Sequence, residues 1–304
     1  MALWLPCTFP SSCLAPLCSM DPLEELIRAQ PGLSITLLAL GLVVGSFLNV
    51  VIHRLPKIME MAWRRDSAEI LGQSEPDEKP LSLAFPGSQC PACGSDIKPW
   101  HNIPVISYLA LRGRCANCGT SISVRYPIVE ATTAAIWIAC GISFGVSYAL
   151  LGAMILTAVL TCLTAIDLDT QLLPDSLTLP LIWIGLLLNL SGTYTTLESA
   201  VLGAVAGYLS LWSVYWGFKL LTGKEGMGYG DFKLLAALGA WLGIGAIPTL
   251  ILASSLVGAV VGILLIVTGN QGRDTPMPFG PFLAGAGLLH LFFPNLLLGL
   301  ITGA

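Results

Sequence analysis

Long apolar runs recur along this chain, separated by short polar connections and by one long polar stretch. The runs lie near 33–52, 127–146, 148–166, 177–193, 199–218, 232–246, 247–268 and 280–302. A helix needs about 20 apolar residues to cross a bilayer, within a range of about 17–25. The spacing therefore predicts eight spans. The sixth run has only fifteen residues, so its far end either re-enters or merges into the seventh, which would leave seven. No internal repeat is visible.

Composition agrees with this pattern. Of 304 residues, 55% are hydrophobic and 11% charged, against roughly 25% charged in a soluble domain. The net charge of −4 decides little, because orientation follows where Lys and Arg sit. Nine of the fourteen Lys and Arg lie between Arg54 and Arg125, and Lys219, Lys224 and Lys233 cluster in a later connection. If the basic stretch 53–125 is cytoplasmic, alternation through eight spans puts every Lys and Arg except Arg28 on that side. Asp167 and Asp231 then share the cytoplasmic membrane face. The reading is an all-α polytopic membrane protein. It divides into an N-terminal extension (1–32), a first transmembrane helix (33–52), a cytoplasmic zinc-binding loop (53–125) and a transmembrane core (126–304). Residues 1–19 lack a basic start and make a poor signal peptide; Met20 offers a second start. Within the loop, residues 67–80 are polar and acidic, which predicts a flexible connection.

Two carboxylates carry the candidate chemistry. Asp167 follows the third apolar run, and Asp231 ends Gly228-Tyr229-Gly230-Asp231 at the mouth of the sixth. An acid at a membrane helix end is expensive unless it meets water, a partner or a substrate. Two such acids a few ångströms apart share one proton, because like charges at that distance cannot both ionise. The ionised one takes a proton from water while the protonated one donates to a scissile carbonyl. The bland alternatives are helix N-caps or solvated loop charges. Asp175, after Pro174, fits a cap. Asp169 reads as a loop charge or a neighbour supporting the pair.

Cys90-Pro-Ala-Cys93 and Cys115-Ala-Asn-Cys118 are each followed by Gly. Paired CxxC motifs at this separation are the zinc-ribbon pattern, with four thiolates around one structural ion. Cys140 and Cys162 sit in apolar runs and read as buried thiols. Asn49 and Glu130 are polar groups near the inner ends of spans one and two. Asn49 reads as bonded to a neighbouring helix, and Glu130 as a functional candidate or a partner of Arg125 or Arg54. His53 and Arg54 suit the membrane interface. His290, within the last run, reads as a satisfied core residue.

Taken in order, several segments resemble the bacterial type IV prepilin peptidase family. They are GSFLNVVIHRLP (45–56), the two CxxC pairs, YPIVE (126–130), IDLDTQLLPDSLTLP (166–180), the stretch 211–239 with its Gly-x-Gly-Asp, and PFGPFLA (278–284). The resemblance covers about 33–302. It implies an intramembrane aspartic protease of the Gly-x-Gly-Asp type in the bacterial inner membrane, with its active site facing the cytoplasm. The implied substrates are type IV prepilins and type II secretion pseudopilins, cut after a glycine. The freed terminus would then be N-methylated with S-adenosylmethionine. The family's catalytic aspartates fall on Asp167 and Asp231. Its methylation activity is associated with the first cytoplasmic region, which makes Asn49, Arg54 and Glu130 candidates for the methyl donor. Partners would be these substrates and the lipid bilayer, with no nucleic acid. A transporter would instead show acids deep in several spans within matched repeats. A non-catalytic scaffold would leave Gly-Tyr-Gly-Asp unexplained.

Overall fold

The computed structural model describes residues 31–74, 81–224, 226–268 and 277–294. The N-terminal extension, with Cys7, Cys13, Cys18 and Arg28, lies outside them, as do Arg273 and the end of the last predicted span. Among the described residues every named element is helical. The helices are α1 (Pro31–Ile70), α2 (Ile106–Ala110), α3 (Arg125–Phe144), α4 (Tyr148–Thr170), α5 (Asp175–Leu188), α6 (Leu197–Thr222), α7 (Tyr229–Leu242), α8 (Ile247–Val267) and α9 (Gly280–Phe292).

Among the described residues each predicted apolar run holds one helix, and five helices are long and apolar enough to cross a membrane. These are α1, α3, α4, α6 and the helix ending at Val267. The segment Asp175–Ser191 and α9 are shorter apolar helices, and α7 has only 14 residues. At about 1.5 Å per residue, α7 spans about 21 Å, less than the roughly 30 Å hydrocarbon core. Burial explains how so short a helix persists. Leu234, Leu235, Ala237, Leu238, Ala240 and Trp241 are all fully buried. Helices α5, α6 and α9 pack around them. A helix apolar on all sides and enclosed by others need not match the lipid.

Glycine pairs set two of the tightest seams. On α6, Gly203 and Gly207 face α7: a Cβ on Gly239 of α7 would lie 2.2 Å from the Gly203 carbonyl oxygen. On α1, Gly41 and Gly45 face α3, where added Cβ atoms would lie 2.5 Å from Ala134 Cα and 2.7 Å from Glu130 Cα. Small residues four apart let helix backbones touch, which drives association where lipid removes the hydrophobic incentive.

The first helix departs from expectation. It does not end near residue 52 but runs 40 residues to Ile70. Its last third is a polar helical arm, and residues 67–70, expected to be flexible, belong to it. Pro56 lies inside this helix, where its missing N–H and ring weaken one turn without ending the helix. Of the predicted flexible segment, 75–80 lies outside the described residues.

Candidate active site and thiol cluster

Asp167 sits in the last turn of α4 and Asp231 in the first turn of α7. Both are buried, at 4% and 7% exposure. The two come together at one end of the bundle, joined through Leu173 and Gly280. The backbone N–H of Gly280, at the start of α9, donates to Asp167 Oδ2 at 2.9 Å. A side chain at Gly280 would collide with that carboxylate, its Cβ lying 2.7 Å from Oδ2. Leu173, in the connection after α4, would meet a Cβ on either Gly280 or Gly230, so this leucine wedges between the glycines flanking the two acids. The buried Oδ1 of Asp231 has no hydrogen-bond partner among the described residues. An unpartnered buried carboxyl oxygen is costly, and such an oxygen beside a second acid is suited to bind a water or a substrate.

Neighbouring charges are engaged elsewhere. Lys233 Nζ lies 2.6 and 2.7 Å from the two carboxylate oxygens of Asp175. Asp175 is thus not the N-cap expected of it: it occupies the first position of α5, and Pro174 is the cap. Asp169, beside the pair in sequence, is bound to Arg125 at 2.5 Å.

The methyl-donor candidates have partners within the chain. Asn49 donates to the carbonyls of Gly45 and Tyr126 at 3.3 and 3.1 Å, bridging α1 to α3. Arg54 donates to the carbonyls of Ser82, Leu83 and Gly87, anchoring the loop to the arm. Glu130 Oε2 accepts the Val105 N–H at 2.7 Å, in place of the arginine partners considered for it. Val105 has φ +58, an unfavourable conformation for a β-branched residue, and the buried carboxylate holds it there. His290 Nδ1 lies 3.4 Å from Thr249 Oγ1, and Cys140 and Cys162 are buried, as expected.

The two CxxC motifs fold as matching knuckles. In each, the residue after the second Cys turns with positive φ, Gly94 and Gly119, and its N–H bonds back to the first Cys carbonyl. The four Sγ atoms lie within 4.8 Å of one another. Zinc–sulfur bonds of about 2.3 Å in a tetrahedron place sulfurs about 3.8 Å apart, and Cys90 and Cys118 sulfurs stand at 3.8 Å. The Ser95 hydroxyl, then the Ser95 backbone and the Asn117 amide, brings the Cys93 thiol down to about 6. That favours the thiolate a metal needs. The set can hold a metal.

A bundle of apolar helices, several long enough to cross a membrane, with two buried acids at one end and a separate four-thiol cluster, has the make-up of a polytopic membrane enzyme. Comparison with known proteins gives the family. Residues 39–144 match the Bacterial Peptidase A24 N-terminal domain, and residues 154–263 match the Type IV leader peptidase family. The chain is 50% identical over 274 residues to a prepilin leader peptidase/N-methyltransferase of Pseudomonas aeruginosa, covering 90% of this chain and 94% of that one. It is 53% identical over 277 residues to the protein of the same name from Aeromonas hydrophila, covering 90% and 96%. No solved structure matches. The chain belongs to the type IV leader peptidase family.

Proposed function

We propose that this protein cleaves the leader from type IV prepilins and related pseudopilins and then N-methylates the new amino terminus. The observation that carries the reading is the meeting of Asp167 and Asp231 from separate helices at one end of the bundle. In this reading the pair shares one proton. One carboxylate draws a proton from water, which attacks the carbonyl after the leader's terminal glycine. The other, protonated, donates to the carbonyl oxygen. Gly280 fixes the orientation of Asp167, and Gly228 and Gly230 shape the turn that delivers Asp231. A prepilin's apolar helix can remain in the bilayer while its cleavage site reaches the cytoplasmic boundary of the inner membrane.

Zinc, one ion per chain, fits the four thiols and would staple the loop without doing chemistry, since a Cys₄ site leaves no open position. S-adenosylmethionine would supply the methyl group. Mass spectrometry of a prepilin incubated with the purified protein, with and without S-adenosylmethionine, tests both steps. The expected products are a leader cut after glycine and, with the donor, a mass gain of one methyl group. An intact prepilin would end the reading.

A further inference from the structure

A cavity of about 580 Å³ opens between the helical arm of α1 and the end of α4. Its volume lies within the roughly 300–1,000 Å³ of small-molecule sites. His53, Lys57 and Glu60 line it from the arm, with Trp63 one turn further along, while Asp169 and Thr170 close the other side. The spacing 53, 57, 60 puts those three on one helix face. This part of the arm continues the segment 45–56, which carries the family likeness.

We propose that this cavity binds S-adenosylmethionine and is the methyl-donor site. The inference rests on the methyltransferase reading above. Its chemistry matches the donor at each part. The Trp63 indole, 49% exposed, offers a flat face for the adenine or for the sulfonium cation. Lys57, whose Nζ lies 3.0 Å from His53 Nε2, offers a cation for the amino-acid carboxylate. Glu60 and Asp169, each already held by an arginine, present acceptor oxygens for the ribose diol or the ammonium.

Position argues as strongly as lining. Thr170 follows Asp167 by three residues, so it lies on the same face of α4, about 4.5 Å along the axis. A terminus released at Asp167 therefore emerges beside the cavity mouth. There the neutral amine's lone pair forms the new N–CH₃ bond as the C–S bond breaks. The bonding electrons stay on sulfur, leaving a neutral thioether, and the surplus proton passes from nitrogen to water.

Photolabelling with S-adenosylmethionine, followed by digestion and mass spectrometry, locates the site in the full-length protein. Adducts on peptides spanning 53–63 or 169–172 are expected. Calorimetry with S-adenosylhomocysteine gives a second readout. Trp63→Ala should raise its Kd about tenfold, the scale of one lost aromatic face, and lower the methylated fraction of cleaved product at limiting donor. Trp100→Ala, an exposed indole outside the cavity, should leave the Kd unchanged. Continued cleavage reports that each variant is folded. Adducts confined to 81–124, or an unchanged Kd in Trp63→Ala, would overturn the proposal while the methyltransferase reading stands. A wild type that cleaves without methylating, and binds no S-adenosylhomocysteine, sinks both.

Discussion

Lys233 holds its ammonium between the two carboxylate oxygens of Asp175, at 2.6 and 2.7 Å. Asp175 opens α5, and Lys233 follows Asp231 by two residues on α7. The pair pins the starts of two helices together beside the buried acids. It also neutralises a third carboxylate that would otherwise add its charge to theirs.

Asp175→Ser should therefore cost stability modestly. The side chains are 25% and 56% exposed, so solvent screens the pair and about 0.2–1 kcal/mol is expected. Thermal unfolding in detergent measures it, and cleavage should stay within about tenfold of wild type. Complete loss of cleavage in a normally folded Asp175→Ser protein would make Asp175 the better partner for Asp231.

Asp167→Asn and Asp231→Asn should each leave prepilin uncut. General acid–base catalysis contributes about 10²–10⁴-fold per group, so a timed cleavage assay in membranes should show losses of that order or greater. Membrane insertion should be unchanged, because an amide replaces each carboxyl nearly isosterically. Wild-type cleavage by either variant ends the assignment of the pair.

Gly280→Ala tests how the first acid is held. The new methyl would lie 2.7 Å from Asp167 Oδ2 and 3.1 Å from Leu173 Cδ2, so the carboxylate must move. A displacement of about 1 Å can cost on the order of 10²-fold in rate. The expected signature is a fall in kcat with little change in KM. Unaltered kcat would show that Gly280 does not set the geometry of Asp167.

Metal analysis of the purified protein should find about one zinc per chain, the stoichiometry of a Cys₄ site. Cys93→Ser should lower that content, and a strong chelator should destabilise the loop without directly attacking the paired acids. Metal-free protein with all four thiols open to alkylation would refute the zinc site.

Gly239→Ala and Gly217→Ala make a paired test of the α6–α7 seam. At Gly239 the new Cβ would lie 2.2 Å from the Gly203 carbonyl oxygen, whereas at Gly217 nothing lies within 4 Å. Overpacking costs about 1–3 kcal/mol, so only the first should lower the unfolding temperature. Equal stability of the two would mean that α6 and α7 can separate without penalty.

Apolar run length located every long helix, because burial in lipid or protein demands continuous apolar residues. It did not locate helix ends. The end of α1 was placed at the bilayer boundary, yet helix propagation follows i→i−4 hydrogen bonds and continues through polar residues 53–70. Side-chain partners were less legible still. Depth and charge mark Glu130 as a functional candidate or a partner of Arg125 or Arg54, but the group it meets is the backbone N–H of Val105, which has no sequence signature. Asp175 looked like a cap because Pro174 and Ser176 flank it, and its real partner, Lys233, is 58 residues away. The glycine seams were readable, since Gly41/Gly45 and Gly203/Gly207 stand four apart in apolar runs. The polar face of the arm was also present in the spacing of His53, Lys57 and Glu60, but its meaning depends on what α4 brings opposite it.

The sheath of helices around α7 has a consequence for where this enzyme can work. Lipid thickness varies by several ångströms between membranes, and an exposed span answers by tilting or by thinning the bilayer. A helix enclosed by protein along most of its length, as α7 is from Leu234 to Trp241, has little such obligation. The depth of Asp231 is set by its neighbours in the fold, so the scissile bond should meet both acids at the same level in thin and thick bilayers alike.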